Sequence, residues 1–224
     1  MELEPLSFLL EGYILEQIIM QDQTVNDDRI LYLSADVTGE SISDICKQIL
    51  QSNETDKKGL EKYKTYAIKP IQLHIQSFGG SVYDMWALID VIEASTTPII
   101  TFCNGYCMSA AALIFLSGHY RCMYKHSAIM FHQVSSFTFG KVQDLTIHQD
   151  VLEDMHKDMI KYIKKKTKLK KSFFKRYDTG KEDIYLDAKK CLKFGVCDQI
   201  VETTEWRDTL LEQLSKEDCE IIEE

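Results

Sequence analysis

The sequence is poor in the features that interrupt a fold. Only three of its 224 residues are proline, and it contains no low-complexity tract and no internal repeat. With 45% hydrophobic residues, a chain of this length can bury the core of one full domain and is short for two. These features argue against a disordered or repeat protein and predict one globular domain.

Long hydrophobic runs are also missing. The apolar segment at residues 8–20 is too short to span a bilayer and is interrupted by Glu11 and Glu16, so it predicts an amphipathic segment. Glu2 and Glu4 stand where a secretory signal would be basic. We therefore expect no membrane partner and a cytoplasmic location.

The cysteines lack the spacing of a disulfide framework or of a metal site. There are seven, an odd number, and they show no paired pattern, which predicts reduced thiols. Cys103 and Cys107 lie four positions apart, but no second pair or nearby histidine cluster completes a zinc site. We expect neither a metal nor an organic cofactor.

Charge is concentrated in two segments. Residues 202–224 contain nine acids and two bases, which account for −7 of the net charge of −9. We therefore predict three parts: an amino-terminal segment at residues 1–28, a domain at residues 29–201 and this acidic tail at residues 202–224. Residues 161–176 contain nine bases and no acid. A solvated helix end or turn explains this run better than a nucleic-acid site, and we expect no nucleic-acid partner.

Apolar periodicity predicts alternating strands and helices. Strands are predicted at 29–33, 70–77, 98–103, on either side of Lys125 and His126, and within 197–201; helices are predicted at 38–50, 81–95, 109–118, about 142–164 and 187–195. The polar stretch at 51–66 predicts a surface loop. This alternation indicates an α/β fold whose site lies at the carboxyl ends of the strands, where residues 77–80 and 105–109 fall.

Several polar residues at these positions suit acyl transfer. Such a site needs a nucleophile, a base, an orienting carboxylate and backbone donors for an oxyanion. Ser109 opens an apolar helix, His132 ends a predicted strand, Asp183 lies in a turn, and Gly79 and Gly80 follow a strand. The residues alone leave two interpretations of Ser109 open, a helix cap and a nucleophile.

Five segments resemble one family in order and spacing. "SFGGSV", "GYCMSAAALI", "MFHQV", "DIYLDA" and "GVCD" are similar to motifs of ClpP, the proteolytic subunit of the Clp protease. The resemblance covers Arg29 to about Val201. It implies a ClpP/crotonase fold of repeated strand–helix units, in which the helix at about 142–164 is a protruding handle helix.

The resemblance also implies roles for single residues. Ser109 matches the nucleophile, His132 the general base and Asp183 the residue that orients the base. The backbone N–H groups of Gly80 and Ala110 match the oxyanion donors. The implied activity is that of a serine endopeptidase that hydrolyses peptides and unfolded proteins.

An assembly is implied as well. Members of the family form heptameric rings that stack into a tetradecamer, and an AAA+ unfoldase ATPase feeds substrates into the chamber. Residues 1–28 would then be an axial or partner-contact region. The chain departs from the family at Phe78 and Val134, where the motifs usually have proline, and its amino-terminal segment matches weakly.

Alternatives remain at the level of residues and of function. Cys107 is a rival nucleophile or a small core residue, and Asp178 and Asp187 lie near Asp183, with Asp187 equally suited to cap the next helix. No catalytic role is assigned to His74, His126 or His148. The functional alternatives are a viral capsid-maturation protease of the same fold and a non-catalytic ring subunit. Only the shared fold supports a crotonase-type acyl-CoA enzyme.

Overall fold

The computed structural model describes residues 29–135, 139–180 and 182–201, so the segments at 1–28 and 202–224 lie outside the described residues. The strands are β1 (Ile30–Leu33), β2 (Ile71–Ser77), β3 (Ile99–Met108), β4 (Tyr120–Tyr124), β5 (Ala128–Phe131), β6 (Ile184–Asp187) and β7 (Gln199–Val201). The helices are α1 (Gly39–Lys62), α2 (Val82–Glu93), α3 (Ala110–Ser117), α4 (Val142–Lys166), α5 (Lys171–Thr179) and α6 (Ala188–Lys193). The predicted alternation of strands and helices is confirmed.

The sheet divides at its longest strand. Strands β1, β2, β3, β4 and β7 lie side by side and are all parallel. The first half of β3, Ile100–Cys103, pairs with β4, whereas Tyr106–Met108 pairs with β5. Strand β6 then pairs antiparallel with β5. The carboxyl ends of β3 and β5 therefore lie together at one edge, as the parallel arrangement predicts.

Helix α3 forms the centre of the core. All of its residues are buried, and it packs on α2, α4 and the sheet. A helix that is apolar on every side is stable only when it is enclosed in this way. Its first turn is therefore held firmly, and so is Ser109, which precedes it.

The predicted surface loop at 51–66 is wrong, because α1 continues to Lys62. Its second half buries Asp56, which is only 1% exposed. The Arg29 guanidinium donates to both carboxylate oxygens of Asp56, at 2.8 and 2.6 Å, and the hydroxyls of Tyr66 and Thr97 also donate to them. Four donated hydrogen bonds allow this helix face to be buried although it is polar.

Replacing Asp56 with Asn should lower the free energy of unfolding by about 3 kcal/mol or more, because Arg29 would lose its charged partner. Burial alone would raise the pKa of Asp56, but the hydrogen bonds from Arg29, Thr97 and Tyr66 lower it. The ionised Asp56 carboxylate should therefore stabilise the fold fully at pH values above the pKa of an unfolded aspartate. This stabilisation should be lost as the pH falls through the lower pKa that Asp56 has in the folded protein. Urea unfolding between pH 3 and 7 would measure both effects.

The control for this variant is Asp44→Asn, which removes an exposed ion pair with Lys47 on the same helix. Exposed pairs contribute little, so this change should leave the unfolding midpoint nearly unchanged. Equal losses in the two variants would contradict the assignment of Asp56 as a buried anchor.

The predicted end of β3 at residue 103 is also wrong, since the strand reaches Met108. Between Cys103 and Cys107, β3 advances four residues while β2 advances two, which is a bulge. Gly105 has a φ of 78° there, and the Ser127 hydroxyl accepts from its N–H and donates to the carbonyl of Cys103. The bulge turns the second half of β3 toward β5.

Helix α4 matches the predicted handle helix. Its first half carries exposed apolar side chains, at Val142, Leu145, Ile147 and Val151. Its buried residues begin only at His156. The basic run at 161–176 covers the end of α4 and most of α5, so the predicted solvated helix end is confirmed, although Phe173 is buried. None of the described helices has the length and apolar character needed to cross a membrane.

Candidate active site

Ser109 occupies a strained turn between β3 and α3. Its φ of 55° and ψ of −123° make it the only non-glycine residue with positive φ among those described. Such a conformation costs on the order of 1–3 kcal/mol and is typical of a nucleophile held on a sharp strand-to-helix turn. The side chain makes no capping hydrogen bond, although the residue stands at the N-cap position. The hydroxyl therefore remains available for another partner.

That partner is His132. Its Nε2 atom lies 2.7 Å from the Ser109 hydroxyl oxygen. The sheet produces this contact, because Met108 lies opposite Met130 in the β3–β5 ladder and the Ser109 amide donates to the Met130 carbonyl at 2.9 Å. Two predicted site residues that are far apart in sequence are thus brought into hydrogen-bonding contact.

Asp183 lies next to this pair in the sheet, without a hydrogen bond to it among the described contacts. Phe131 is opposite Ile184 in the antiparallel β5–β6 ladder, so the next positions along the two chains are His132 and Asp183. Asp183 is exposed, and among the described contacts its carboxylate has no hydrogen bond with His132. The ladder register places the third predicted residue next to the histidine without joining their side chains.

The two neighbouring acids have other partners. Asp187 is the N-cap of α6, since its carboxylate accepts from the Lys190 amide at 2.8 Å. The capping role left open for this residue is confirmed. Asp178 lies on α5, where its Oδ1 is 3.6 Å from Nε2 of His156. Neither acid has a hydrogen bond with His132 in the described part of the chain.

The two glycines pack closely against different backbone segments, Gly79 against the start of α3 and Gly80 against Val37. A Cβ atom on Gly79 would lie 2.7 Å from the Met108 carbonyl oxygen and 3.0 Å from the Ala110 nitrogen. A Cβ on Gly80 would overlap the carbonyl of Val37. No residue within the described ranges accepts a hydrogen bond from the amides of Gly80 or Ala110. Within the described ranges both amides are therefore without an acceptor in the protein, and Ala110 directly follows Ser109.

Cys107 does not have the properties of a nucleophile. Its side chain is fully buried, and its thiol donates weakly to the Ile75 carbonyl at 3.5 Å. Burial raises the pKa of this thiol well above its usual value, so it remains protonated at neutral pH. It fills the core as a small apolar residue.

Phe78, which stands in place of a proline, packs on Tyr106. The two ring centroids are 4.4 Å apart. Phe78 precedes Gly79 and Tyr106 precedes Cys107, so this aromatic contact joins the glycine loop to β3. An aromatic pair of this kind stabilises by about 0.5–1.5 kcal/mol.

The other histidines lie apart from the site or have separate surroundings. His74 stacks between Tyr32 and Phe102, and burial lowers its pKa. Among the described residues no three His, Cys, Asp or Glu side chains are arranged to hold a metal ion. The groups that the described residues bring together at Ser109 are its own hydroxyl and the imidazole of His132.

Comparison with known proteins places the chain in a family. The family model for the Clp protease matches residues 16–204. The ATP-dependent Clp protease proteolytic subunit 1 of Prochlorococcus marinus (strain MIT 9312) is 28% identical over 183 residues, which cover 78% of this chain and 85% of the relative. The proteolytic subunit 2 of Treponema pallidum is 30% identical over 136 residues, 60% of this chain and 67% of the relative.

The fold agrees with that assignment. A solved structure of a ClpP1 point mutant from Listeria monocytogenes superposes with a TM-score of 0.65 at 18% identity and covers 86% of this chain and 98% of the other. The handle helix and the strand–helix units predicted from the sequence are those of the ClpP fold. The chain therefore belongs to the Clp protease family and is a serine-type endopeptidase of the ClpP kind.

Proposed function

We propose that Ser109, His132 and Asp183 form the catalytic triad of this peptidase. The observation that carries the proposal is the 2.7 Å contact between His132 Nε2 and the Ser109 hydroxyl, made at a residue with strained backbone. A base within hydrogen-bonding distance of a hydroxyl is the arrangement that activates a serine.

In the first half of the reaction, the Ser109 oxygen attacks the carbonyl carbon of the scissile peptide bond. His132 Nε2 takes the hydroxyl proton, and the amides of Gly80 and Ala110 donate hydrogen bonds to the oxyanion that forms. The tetrahedral intermediate then breaks the C–N bond. His132 returns its proton to the leaving amine, and an ester on Ser109 remains.

In the second half, water attacks the ester. His132 removes a proton from the water, and the same two amides again hold the oxyanion. The C–O bond to Ser109 breaks, the serine oxygen regains the proton from His132, and the acid product leaves. Asp183 supports both halves when its carboxylate accepts a hydrogen bond from His132 Nδ1, because this holds the ring orientation and stabilises the imidazolium.

We further propose that the chain works as a heptameric ring stacked on a second ring, in the cytoplasm and with an AAA+ unfoldase. The exposed apolar side chains on the first half of α4 support an assembly, since a helix face of this kind is stable when another surface covers it. The relatives are named as ATP-dependent Clp protease subunits, which supports an ATPase partner. No cofactor is part of this proposal.

The test is treatment with a fluorophosphonate, followed by peptide mass spectrometry on protein whose oligomeric mass is measured by native mass spectrometry. We expect one adduct, on Ser109, in a tetradecamer, and no adduct in the Ser109→Ala variant. A ring without an adduct would instead favour the non-catalytic subunit. Peptide hydrolysis that never responds to an added unfoldase would favour the capsid-maturation alternative.

A further inference from the structure

A cavity of about 430 Å³ adjoins the catalytic histidine. It lies between the handle helix α4 and the two residues that follow His132, and α5 contributes one residue to it. Its lining consists of Gln133, Val134, Gln149, Leu152, Glu153, His156, Lys157 and Asp178. Gln133 and Val134 follow His132 directly, so the lining of the cavity begins one residue after this histidine. A peptide lying across Ser109 can therefore place a neighbouring side chain in this cavity.

His156 is a buried polar group of this cavity without a hydrogen bond. Its side chain is only 8% exposed, and among the described residues neither ring nitrogen has a hydrogen-bond partner. Its Nε2 lies 3.6 Å from Asp178 Oδ1, beyond hydrogen-bonding distance, and its ring stacks on Tyr177. An unpaired buried group is costly unless a ligand supplies the missing partner.

Two carboxylates give the cavity its charge. Among its described contacts, Glu153 accepts a hydrogen bond only from the Gln149 amide, at 3.1 Å, and the Asp178 carboxylate has no ion pair with a lysine or an arginine. The one lysine in the lining, Lys157, has its ammonium 2.9 Å from Asp154, which does not line the cavity. The lining therefore contains two carboxylates against one lysine, and the hydrogen bond of that lysine goes to Asp154.

We propose that this cavity binds a cationic side chain, arginine in preference to lysine, next to the scissile bond of the substrate, and that Glu153 and Asp178 select it. The inference rests on the proposed function, since Ser109 must cleave the bound peptide.

The cavity suits both ends of such a side chain. Val134 and Leu152 offer apolar contact to the methylene stem. A guanidinium has five N–H donors in a plane, enough for two carboxylates and for the acceptor nitrogen of a neutral imidazole. A lysine has a single ammonium group and reaches fewer acceptors at once. We therefore expect the cavity to bind arginine more tightly than lysine.

The test compares peptides that differ at one residue beside the cleaved bond, which is arginine, lysine or citrulline. Citrulline has nearly the shape of arginine without its charge. We expect kcat/KM to be about tenfold higher for arginine than for citrulline, which corresponds to one charge-assisted interaction. The double variant Glu153→Gln, Asp178→Asn should bring this ratio close to one.

The control is Asp150→Asn, an exposed acid on the same helix that does not line the cavity, and it should keep the preference. All three changed side chains are exposed on α4 or α5. Circular dichroism would confirm that each variant is folded. A ratio near one in the unaltered protein, or an unchanged ratio in the double variant, would overturn the proposal.

A second arm separates this inference from the proposed function. Binding of the same peptides to the Ser109→Ala variant, measured by fluorescence anisotropy, requires no catalysis. A preference for the arginine peptide that disappears in the double variant would support the cavity assignment even if no peptide were cleaved. Cleavage of all three peptides at equal rates, with equal binding, would overturn the inference and leave the peptidase intact.

Discussion

Ser109→Ala should reduce kcat/KM for any cleaved peptide by roughly 10⁴-fold or more, because the variant lacks the hydroxyl that is proposed to form the ester intermediate. The position tolerates the change, since the Ser109 side chain makes no capping bond to the helix. The loss should therefore appear without a change in thermal unfolding. A quenched fluorescent peptide would measure the rate, and differential scanning calorimetry the stability.

Replacing His132 should abolish activity as replacing Ser109 does. His132→Ala should cause a similar loss, and the double variant with Ser109→Ala should be no worse than either, because residues that act as a unit are not additive. Cys107→Ala is the control for the rival nucleophile and should retain activity, since that thiol is buried and protonated. Activity that survives loss of Ser109 but not loss of Cys107 would reverse the assignment.

The elements that the sequence predicted well are those whose local pattern and burial agree. Helix α3 reads as an unbroken apolar run and is buried on all sides, and α2 has apolar residues at helical spacing. Strand β2 alternates in the sequence and alternates in burial. In each case the residues that form the element also determine which side is buried, so no distant partner is needed.

The second half of α1 shows why other elements could not be predicted. Its inward side presents Asp56 and Gly59, which a local pattern assigns to a loop. Burial of Asp56 depends on Arg29 and Thr97, which lie 27 and 41 residues away in sequence. The second half of strand β3 could not be predicted for the same reason. Gly105 indicates a loop in the sequence, whereas in the structure its amide donates to the Ser127 hydroxyl and the strand continues through a bulge. Long-range polar contacts carry no local signal.

The candidate site was predicted through motifs, and the sheet explains why the motifs meet. Ser109 and His132 follow strands that pair in parallel, so their contact is a consequence of strand register. The acidic cavity was missed because Glu153 and Asp178 belong to separate helices and are ordinary surface acids in sequence. Only the packing of α4 against α5 brings them together.

Asp183→Asn should lower kcat by roughly 10²- to 10⁴-fold with little change in KM, if the carboxylate orients His132 as proposed. An amide cannot stabilise the imidazolium, and it can hold the ring in the wrong tautomer. The side chain is exposed, and none of its described contacts supports the fold, so stability should not change. Steady-state kinetics with a single peptide would separate the effect on kcat from that on KM.

Asp187→Asn is the matched control, because it alters a nearby acid whose assigned role is structural. Asparagine caps a helix about as well as aspartate, so α6 should keep its N-cap and the enzyme its activity. Loss of activity at position 183 alone would place the third triad residue across the β5–β6 ladder from His132. Full activity of the Asp183→Asn variant would instead mean that His132 is oriented without it, and that the serine–histidine pair at 2.7 Å is the whole of the proton-transfer machinery.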